Sequence, residues 1–153
     1  MKKLAKLLID KKLTISTAES CTSGALANKL TSISGSSLYF ECGFITYSNN
    51  SKQQLLSVSK NTLEKYGAVS EECIREMVLG LITTTKTNIG IAISGVAGPN
   101  GGSKEKPVGT VFFGFYINDN IYIKKEHFLG NRSEVVAKSV DYAIKTIYKY
   151  LSS

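Results

Sequence analysis

A serine stands where a strand-like segment passes into a helix-like segment. Leu13 to Ala18 has the apolar and β-branched pattern of a strand, and Ala25 to Ile33 has the pattern of a helix. Ser20 lies between them, in the run Glu19-Ser20-Cys21-Thr22. The start of a helix presents unpaired backbone N–H groups and the positive end of the helix dipole. A hydroxyl at this junction is suited to binding an anion, or to attacking a carbonyl whose oxyanion the N–H groups stabilise.

A lysine further along the chain is the candidate base for this serine. A serine hydroxyl is a weak nucleophile until a base takes its proton, and a lysine does so only when its pKa falls well below about 10.4. Lys52 follows Tyr47 by five residues, across a predicted strand-to-helix turn, so both can face one pocket. Serine–lysine pairs are a known variant of the serine triad. The Tyr47 phenol is expected to orient the lysine or to relay a proton.

Each of these residues also has an ordinary structural explanation. Ser20 can be a helix cap, Lys52 a solvated helix lysine, and Tyr47 a core aromatic. Glu19 either orients active-site groups or pairs with a surface lysine. Cys21 offers a different nucleophile, because a cysteine at a helix N-terminus can have a lowered pKa. The only histidine, His127, would be its base, but no motif surrounds it, which favours a partly exposed strand residue.

The elements that must position these residues alternate between helix and strand. This alternation predicts a single domain over residues 1–153, with a three-layer α/β/α architecture. A β-hairpin near the end makes its sheet mixed rather than purely parallel. The polar segments after three strands, 19–22, 47–52 and 94–99, are expected to converge, because ligands bind outside the carboxyl ends of strands. The further predicted elements are strands at Leu38 to Tyr47, Ile89 to Ser94, Val108 to Ile117 and Ile121 to Phe128, and helices at about 50–56, 60–66, 70–85 and 131–151.

Composition narrows the function classes. The net charge of +7 comes from scattered lysines without Trp or aromatic interleaving, which favours an anionic small substrate over nucleic acid. No apolar run approaches the roughly 20 residues of a membrane span, and no signal peptide is recognisable, so a cytoplasmic location is expected. The three cysteines have no metal-ligand spacing. Neither a metal nor an organic cofactor is therefore predicted.

Four strings, taken together and in order, carry a family resemblance. They are TAESCTSG from Thr17, GSSLYFECGFITYSNNSK from Gly35, YGAVSEE from Tyr66 and ISGVAGPNGGSKEKPVGTV from Ile93. The sequence resembles the CinA C-terminal family from about Thr14 to Arg132. Stand-alone members of that family are nicotinamide-nucleotide amidohydrolases. The resemblance therefore implies hydrolysis of the carboxamide of nicotinamide mononucleotide (NMN), in pyridine nucleotide recycling, to nicotinic acid mononucleotide and ammonia.

The resemblance also implies roles for individual residues. Ser20 corresponds to the nucleophile, Lys52 to its base and Tyr47 to an active-site tyrosine. Many members have glycine where this chain has Ser23. If that position needs positive φ, or lets substrate pass close to the backbone, Ser23 is expected to reduce activity. The division between phosphate and ribose contacts stays open. The residues expected to bind substrate are Glu19, Thr22, Gly35, Ser36, Ser37, Ser94, Gly95, Ala97, Gly98 and Arg132.

Two other expectations accompany this interpretation. Small α/β enzymes often form symmetric assemblies, so a homo-oligomer is expected. The competing hypothesis is a nucleotide-binding or competence-related interaction module without catalysis. The presence of both a serine and a lysine base argues against that module, because a protein that only binds nucleotide does not need the base.

Overall fold

Five strands form one mixed sheet that separates two layers of helices. The computed structural model describes residues 1–153. No helix combines the length and apolarity that crossing a membrane requires. In chain order the elements are α1 (Lys2–Asp10), β1 (Ile15–Glu19), α2 (Ala25–Thr31), a 3₁₀ turn (Ser36–Leu38), β2 (Phe40–Ile45), α3 (Asn49–Leu56), α4 (Lys60–Tyr66), α5 (Glu71–Thr85), β3 (Ile89–Gly95), β4 (Thr110–Ile117), β5 (Asn120–His127) and α6 (Arg132–Ser152).

The strand order β2-β1-β3-β4-β5 brings three carboxyl ends to one edge of the sheet. β1 is parallel to both β2 and β3, whereas β4 and β5 continue the sheet antiparallel. Glu19, the last residue of β1, pairs with Ile45 of β2 and Ile93 of β3. The segments that follow these three strands therefore begin side by side. The mixed α/β/α sheet predicted from the sequence is confirmed.

Hydrophobic side chains fill both faces of the sheet. One cluster lies between the sheet and α1, α2 and α6, and the other lies between the sheet and α3, α4 and α5. Small residues let α5 approach closely: Ala18 and Ala92 belong to the second cluster, and a Cβ added at Gly114 would lie 3.1 Å from the Ile74 carbonyl oxygen. Close packing on both faces holds the strand ends in a rigid frame.

The predicted start of α2 at Ala25 is confirmed, but a turn separates Ser20 from this helix. Residues 21–24 form a turn, and the helix begins only at Ala25. Ser23 has φ +44° and Gly24 has φ +98°, both in the left-handed region, through which a right-handed helix cannot continue. Position 23 therefore does adopt positive φ, the first of the two conditions under which Ser23 is expected to reduce activity. Ser20 stands in the chain before this turn and is not the cap of α2.

Candidate active site

Ser20 is held by the sheet although it lies just beyond β1. Its backbone N–H donates to the Ile93 carbonyl oxygen at 2.9 Å, which extends the pairing of β1 with β3 by one residue. The residue is 8% exposed, so its hydroxyl lies at the bottom of a depression and not on the open surface. The backbone of the candidate nucleophile is thus fixed by its neighbouring strand.

Lys52 reaches this hydroxyl from the helix that follows β2. The Ser48 side chain accepts the Ser51 N–H and so caps α3 directly after the strand, which places Lys52 in its first turn. The Lys52 Nζ lies 3.0 Å from the Ser20 Oγ, 2.7 Å from the Thr46 carbonyl oxygen and 3.3 Å from the Tyr47 carbonyl oxygen. The lysine is 1% exposed, and burial lowers its pKa from the ordinary value of 10.5.

Three oxygen atoms surround the Lys52 Nζ, an arrangement that accommodates both the neutral amine and the ammonium. A neutral amine has two N–H groups and one lone pair. The carbonyl oxygens of Thr46 and Tyr47 can accept a hydrogen bond from each N–H group. The lone pair is then left to face the Ser20 hydroxyl. When the amine takes the serine proton, the resulting ammonium has three acceptors in place. The pair can transfer a proton without moving a heavy atom, a property expected of a nucleophile and its base.

The dyad opens into a cavity of about 280 Å³ at the carboxyl edge of the sheet. Larger hollows, of about 510 and 530 Å³, lie elsewhere on the surface, and neither has a serine hydroxyl hydrogen-bonded to a lysine Nζ. The first of them lies at the opposite edge of the sheet, beside Leu13 and Asn88. The cavity is lined by Ser20, Cys21, Tyr47, Lys52, Ala68, Val69, Ser94, Gly95, Val96, Ala97, Gly98, Asn100, Gly101 and Arg132.

The segment after β3 forms one wall of the cavity. Ser94 is buried, and its hydroxyl donates to the Ala68 carbonyl oxygen at 2.8 Å, which holds the loop between α4 and α5 against the strand. Gly95 leaves no room for a side chain, because a Cβ there would lie 2.7 Å from the Thr110 carbonyl oxygen. The backbone N–H groups of Ala97 and Gly98 donate to no protein acceptor. Both residues line the cavity, so their N–H groups are candidate donors to a ligand there.

Arg132 and Tyr47 meet at the mouth of the cavity. Arg132, the first residue of α6, donates from Nη1 to the Gly98 carbonyl oxygen at 2.7 Å and from Nη2 to the Tyr47 phenol oxygen at 2.8 Å. The Tyr47 phenol therefore contacts Arg132 and not Lys52, contrary to the sequence expectation. Only the main-chain carbonyl of Tyr47 orients the lysine. The tyrosine is 57% exposed, which places its ring at the entrance.

Glu19 neither lines the cavity nor pairs with a lysine. Its carboxylate is fully buried and accepts the backbone N–H groups of Gly24, Leu26 and Ala27, at 3.1, 3.0 and 2.8 Å. The expected oxyanion donors at the start of α2 are thus already occupied by an internal carboxylate. The backbone N–H of Cys21, the residue after Ser20, donates to no oxygen of another residue and is the nearest such donor along the chain.

Comparison with known proteins identifies the family of this chain. A sequence model of the CinA C-terminal domain matches residues 1–151. The chain belongs to the CinA C-terminal domain family. The resemblance seen in the four sequence strings is thereby confirmed.

Relatives with the CinA C-terminal domain have two kinds of name. The nicotinamide-nucleotide amidohydrolase PncC of Enterobacter agglomerans is 47% identical over 133 residues, 86% of this chain and 81% of that protein. A Thermoanaerobacter pseudethanolicus relative, provisionally named a competence-damage inducible protein, is 44% identical over 95% of this chain. The chain spans about a third of the length of that relative and of similar ones. The crystal structure of competence damage-inducible protein A from Klebsiella pneumoniae superposes with a TM-score of 0.95 at 36% identity, covering 99% of this chain and 94% of that one.

Besides Glu19, four residues that the sequence analysis assigned to substrate do not line the cavity of this chain. Thr22 is 1% exposed, and its hydroxyl has no hydrogen-bond partner. Gly35, Ser36 and Ser37 precede β2, whereas Ser20 follows β1. Because the two strands are parallel, the loop that enters one and the loop that leaves the other lie at opposite edges of the sheet. The position of these three residues before a strand was a usable signal in the sequence.

The cysteine alternative is not supported by the structure of this CinA C-terminal domain. Cys21 does line the cavity, but burial raises the pKa of its thiol to about 12, so the thiol stays protonated at neutral pH. His127 lies on β5, with its Nε2 2.9 Å from the Val108 carbonyl oxygen, and it does not line the cavity. No group of three or more His, Cys, Asp or Glu side chains is placed to hold a metal ion.

The cavity also contains residues that the sequence reasoning missed. Ala68 and Val69 come from the loop before α5, and Asn100 and Gly101 from the loop after β3. Both pairs lie inside strings that carried the CinA resemblance, and those strings were the available signal. Asn100 adds an exposed side-chain amide to a wall that otherwise offers mostly backbone groups.

Proposed function

We propose that this CinA C-terminal domain hydrolyses the carboxamide of NMN to nicotinic acid mononucleotide and ammonia, with Ser20 as nucleophile and Lys52 as base. The observation that carries the proposal is the 3.0 Å contact between the Ser20 Oγ and the Nζ of a lysine that is 1% exposed. The substrate assignment is supported by the 47% identical relative that is named for this activity.

The reaction proceeds in two halves. The Ser20 Oγ attacks the carboxamide carbon while its proton passes to the Lys52 Nζ, and the carbonyl oxygen becomes an oxyanion. Oxyanion holes commonly use the N–H of the residue after the nucleophile together with an N–H from a neighbouring loop. The Cys21 N–H and the N–H groups at Ala97 and Gly98 fill these roles. Lys52 then protonates the amide nitrogen, the C–N bond breaks and ammonia leaves an acyl-enzyme.

Water completes the cycle. It gives a proton to the neutral Lys52 Nζ and attacks the acyl carbon, and collapse of the second intermediate returns that proton to the Ser20 Oγ. Nicotinic acid mononucleotide is released, and both side chains regain their starting protonation states. The carbonyl oxygens of Thr46 and Tyr47 accept hydrogen bonds from the lysine throughout.

Arg132 is the proposed contact for the substrate phosphate. Its guanidinium lies at the cavity mouth, and charge-assisted bonds from arginine to phosphate are strong. A second hollow, of about 500 Å³, continues beyond it past Gly98 and Ser133. The inner cavity then takes the pyridine carboxamide, and the ribose and phosphate extend outward toward Arg132. Tyr47, which shares the guanidinium, covers the entrance.

The test is ammonia release from NMN by the wild type and by three variants, Ser20→Ala, Lys52→Ala and Cys21→Ala. Ser32→Ala is the matched control, because this exposed serine at the end of α2 bonds only locally. We expect Ser20→Ala and Lys52→Ala to lose at least about 10²-fold in kcat, and the other two to stay near wild type. Full activity in Ser20→Ala would overturn the mechanism, and loss confined to Cys21→Ala would establish a cysteine nucleophile.

A binding module without catalysis is the competing function, because many relatives carry competence-damage names. Calorimetry distinguishes the two: tight NMN binding without ammonia release would favour the module. A role in pyridine nucleotide recycling, assembly into a homo-oligomer and a cytoplasmic location stay predictions.

A further inference from the structure

Glu19 is a fully buried carboxylate directly before the proposed nucleophile, and the reaction scheme does not use it. None of the ion pairs of the chain includes it. Instead, the backbone N–H groups of Gly24, Leu26 and Ala27 surround it. A buried carboxylate is stable only when hydrogen bonds replace its water, and here the N-terminus of α2 supplies them. Three backbone donors on one carboxylate indicate that it holds this segment of the chain in place.

The first consequence concerns the turn that carries Ser20. Gly24, one of the three donors, ends a turn whose last two residues, Ser23 and Gly24, are both in the left-handed region. Left-handed backbone at a residue other than glycine persists only where the surroundings enforce it. The Glu19 carboxylate joins the beginning of this turn to the helix at its end. It therefore sets the path of the chain through Ser20 and Cys21.

The second consequence concerns the base. The Glu19 carbonyl oxygen accepts the Thr46 N–H at 2.8 Å, and the Thr46 carbonyl oxygen accepts the Lys52 Nζ at 2.7 Å. Glu19 thus connects to Ser20 through the chain and to Lys52 through a single residue of the neighbouring segment. Both members of the dyad take their positions from the same point at the end of β1.

We propose that Glu19 is a positioning residue that sets the distance and orientation between Ser20 and Lys52, a role that rests on the proposed serine–lysine mechanism. Its charge matters as well as its shape. A glutamine at this position would turn an NH₂ group toward backbone N–H donors, because only one of its two side-chain heteroatoms accepts hydrogen bonds. The turn then shifts, and a misplacement of about 1 Å in reacting groups costs about 10²-fold in rate.

The experiment measures the reaction of Ser20 with a small fluorophosphonate by intact mass. In this reaction a bond forms between the Ser20 Oγ and phosphorus, fluoride leaves and the serine proton passes to Lys52. The variants are Glu19→Gln and Glu19→Asp, with Glu41→Gln as the control, because Glu41 is an exposed glutamate on β2 that loses the same charge. Two quantities are recorded, the labelling rate constant and the fraction labelled at completion.

A positioning role predicts that Glu19→Gln is labelled to completion about 10²-fold more slowly than wild type, while Glu41→Gln is unchanged. Glu19→Asp retains the charge on a shorter side chain, so its labelling rate constant lies between those of Glu19→Gln and wild type. For NMN, kcat falls with the labelling rate constant and KM stays within about threefold of wild type, because Arg132 is untouched.

Three results would overturn the inference. They are a wild-type rate constant in Glu19→Gln, a reduced labelled fraction that reacts at the wild-type rate, and a wild-type rate constant in Glu19→Asp if Glu19→Gln does not fold. The second result would show that the residue serves folding alone. Failure of the proposed function looks different. If NMN is not the substrate, the wild type releases no ammonia and the labelling order is unchanged. If Ser20 is not the nucleophile, the wild type itself is not labelled at Ser20.

Discussion

Replacing Lys52 by methionine separates its catalytic role from its structural role. Methionine keeps an unbranched side chain of similar length and removes the Nζ. General-base catalysis by a positioned side chain contributes about 10²- to 10⁴-fold in rate. At about 1.4 kcal/mol for each factor of ten, the activation barrier rises by about 3–5 kcal/mol. We therefore expect Lys52→Met to lose about 10²- to 10⁴-fold in kcat for ammonia release from NMN.

The effect on stability has opposing terms. Removing the Nζ leaves the carbonyl oxygens of Thr46 and Tyr47 without their donor, and an unsatisfied buried acceptor costs about 1–3 kcal/mol. Against this, methionine avoids the desolvation of a buried amine. The two effects are of similar size, so the free energy of unfolding near neutral pH is expected to change by no more than about 2 kcal/mol, far less than loss of the fold.

The pH dependence has a definite sign. Burial lowers the pKa of Lys52 from 10.5, so between the lowered value and 10.5 the unfolded chain binds more protons than the folded chain. The contribution of Lys52 to wild-type stability therefore rises with pH across that window. Below the lowered pKa the full penalty of the buried ammonium is present, and above 10.5 it is absent. The free energy of unfolding of Lys52→Met lacks this rise. Relative to wild type, the variant is therefore most stable at low pH and least stable at high pH.

The assays are ammonia release from about pH 6 to about pH 10 and urea unfolding at both limits. The wild-type kcat/KM rises with pH to a plateau as Lys52 loses its proton, and the small residual rate of Lys52→Met lacks that limb. Lys60→Met is the control, because the Lys60 side chain is 76% exposed and pairs only with Glu64. Activity in Lys52→Met within tenfold of wild type, or the same pH limb in both proteins, would refute the reasoning.

Other residues of the site yield further predictions. Arg132→Ala should raise KM for NMN by about 30- to 100-fold, equivalent to about 2–3 kcal/mol for a charged hydrogen bond. KM for nicotinamide riboside, which lacks the phosphate, should stay within threefold of the wild-type value. Steady-state kinetics on both substrates measures this difference. Ser23→Gly should raise the free energy of unfolding by about 0.5 kcal/mol, because relief of about 1–2 kcal/mol of left-handed strain exceeds the entropy cost of glycine. Urea unfolding measures this gain, and Ser23→Ala, the control, should show none. Cys21, with its thiol pKa raised to about 12, should be about one part in 10⁴ thiolate at pH 8 and resist iodoacetamide in the folded protein; rapid labelling by intact mass would contradict this.

The element order could be predicted from the sequence because it depends on local patterns. The alternation of Ile89 to Ser94, the hairpin after Val108 and the cap at Asn131 each specify an element within a few residues. The dyad was also accessible, since Ser20 and Lys52 follow strands and lie in strings of a recognisable family. The same information placed three polar segments at one edge of the sheet, where the structure has them.

Only the tertiary structure decided what each polar group contacts. The sequence predicted that the Tyr47 phenol contacts the lysine and that the first amides of α2 bind an oxyanion. In the structure the phenol accepts a hydrogen bond from Arg132, and the amides donate to Glu19. The sequence also left open whether Lys52 is solvated or buried. The reason is physical: a helix or strand follows from residues a few positions apart, but a hydrogen bond forms only within about 3 Å. That distance is set by how the parallel strands and the helices on both faces of the sheet pack together.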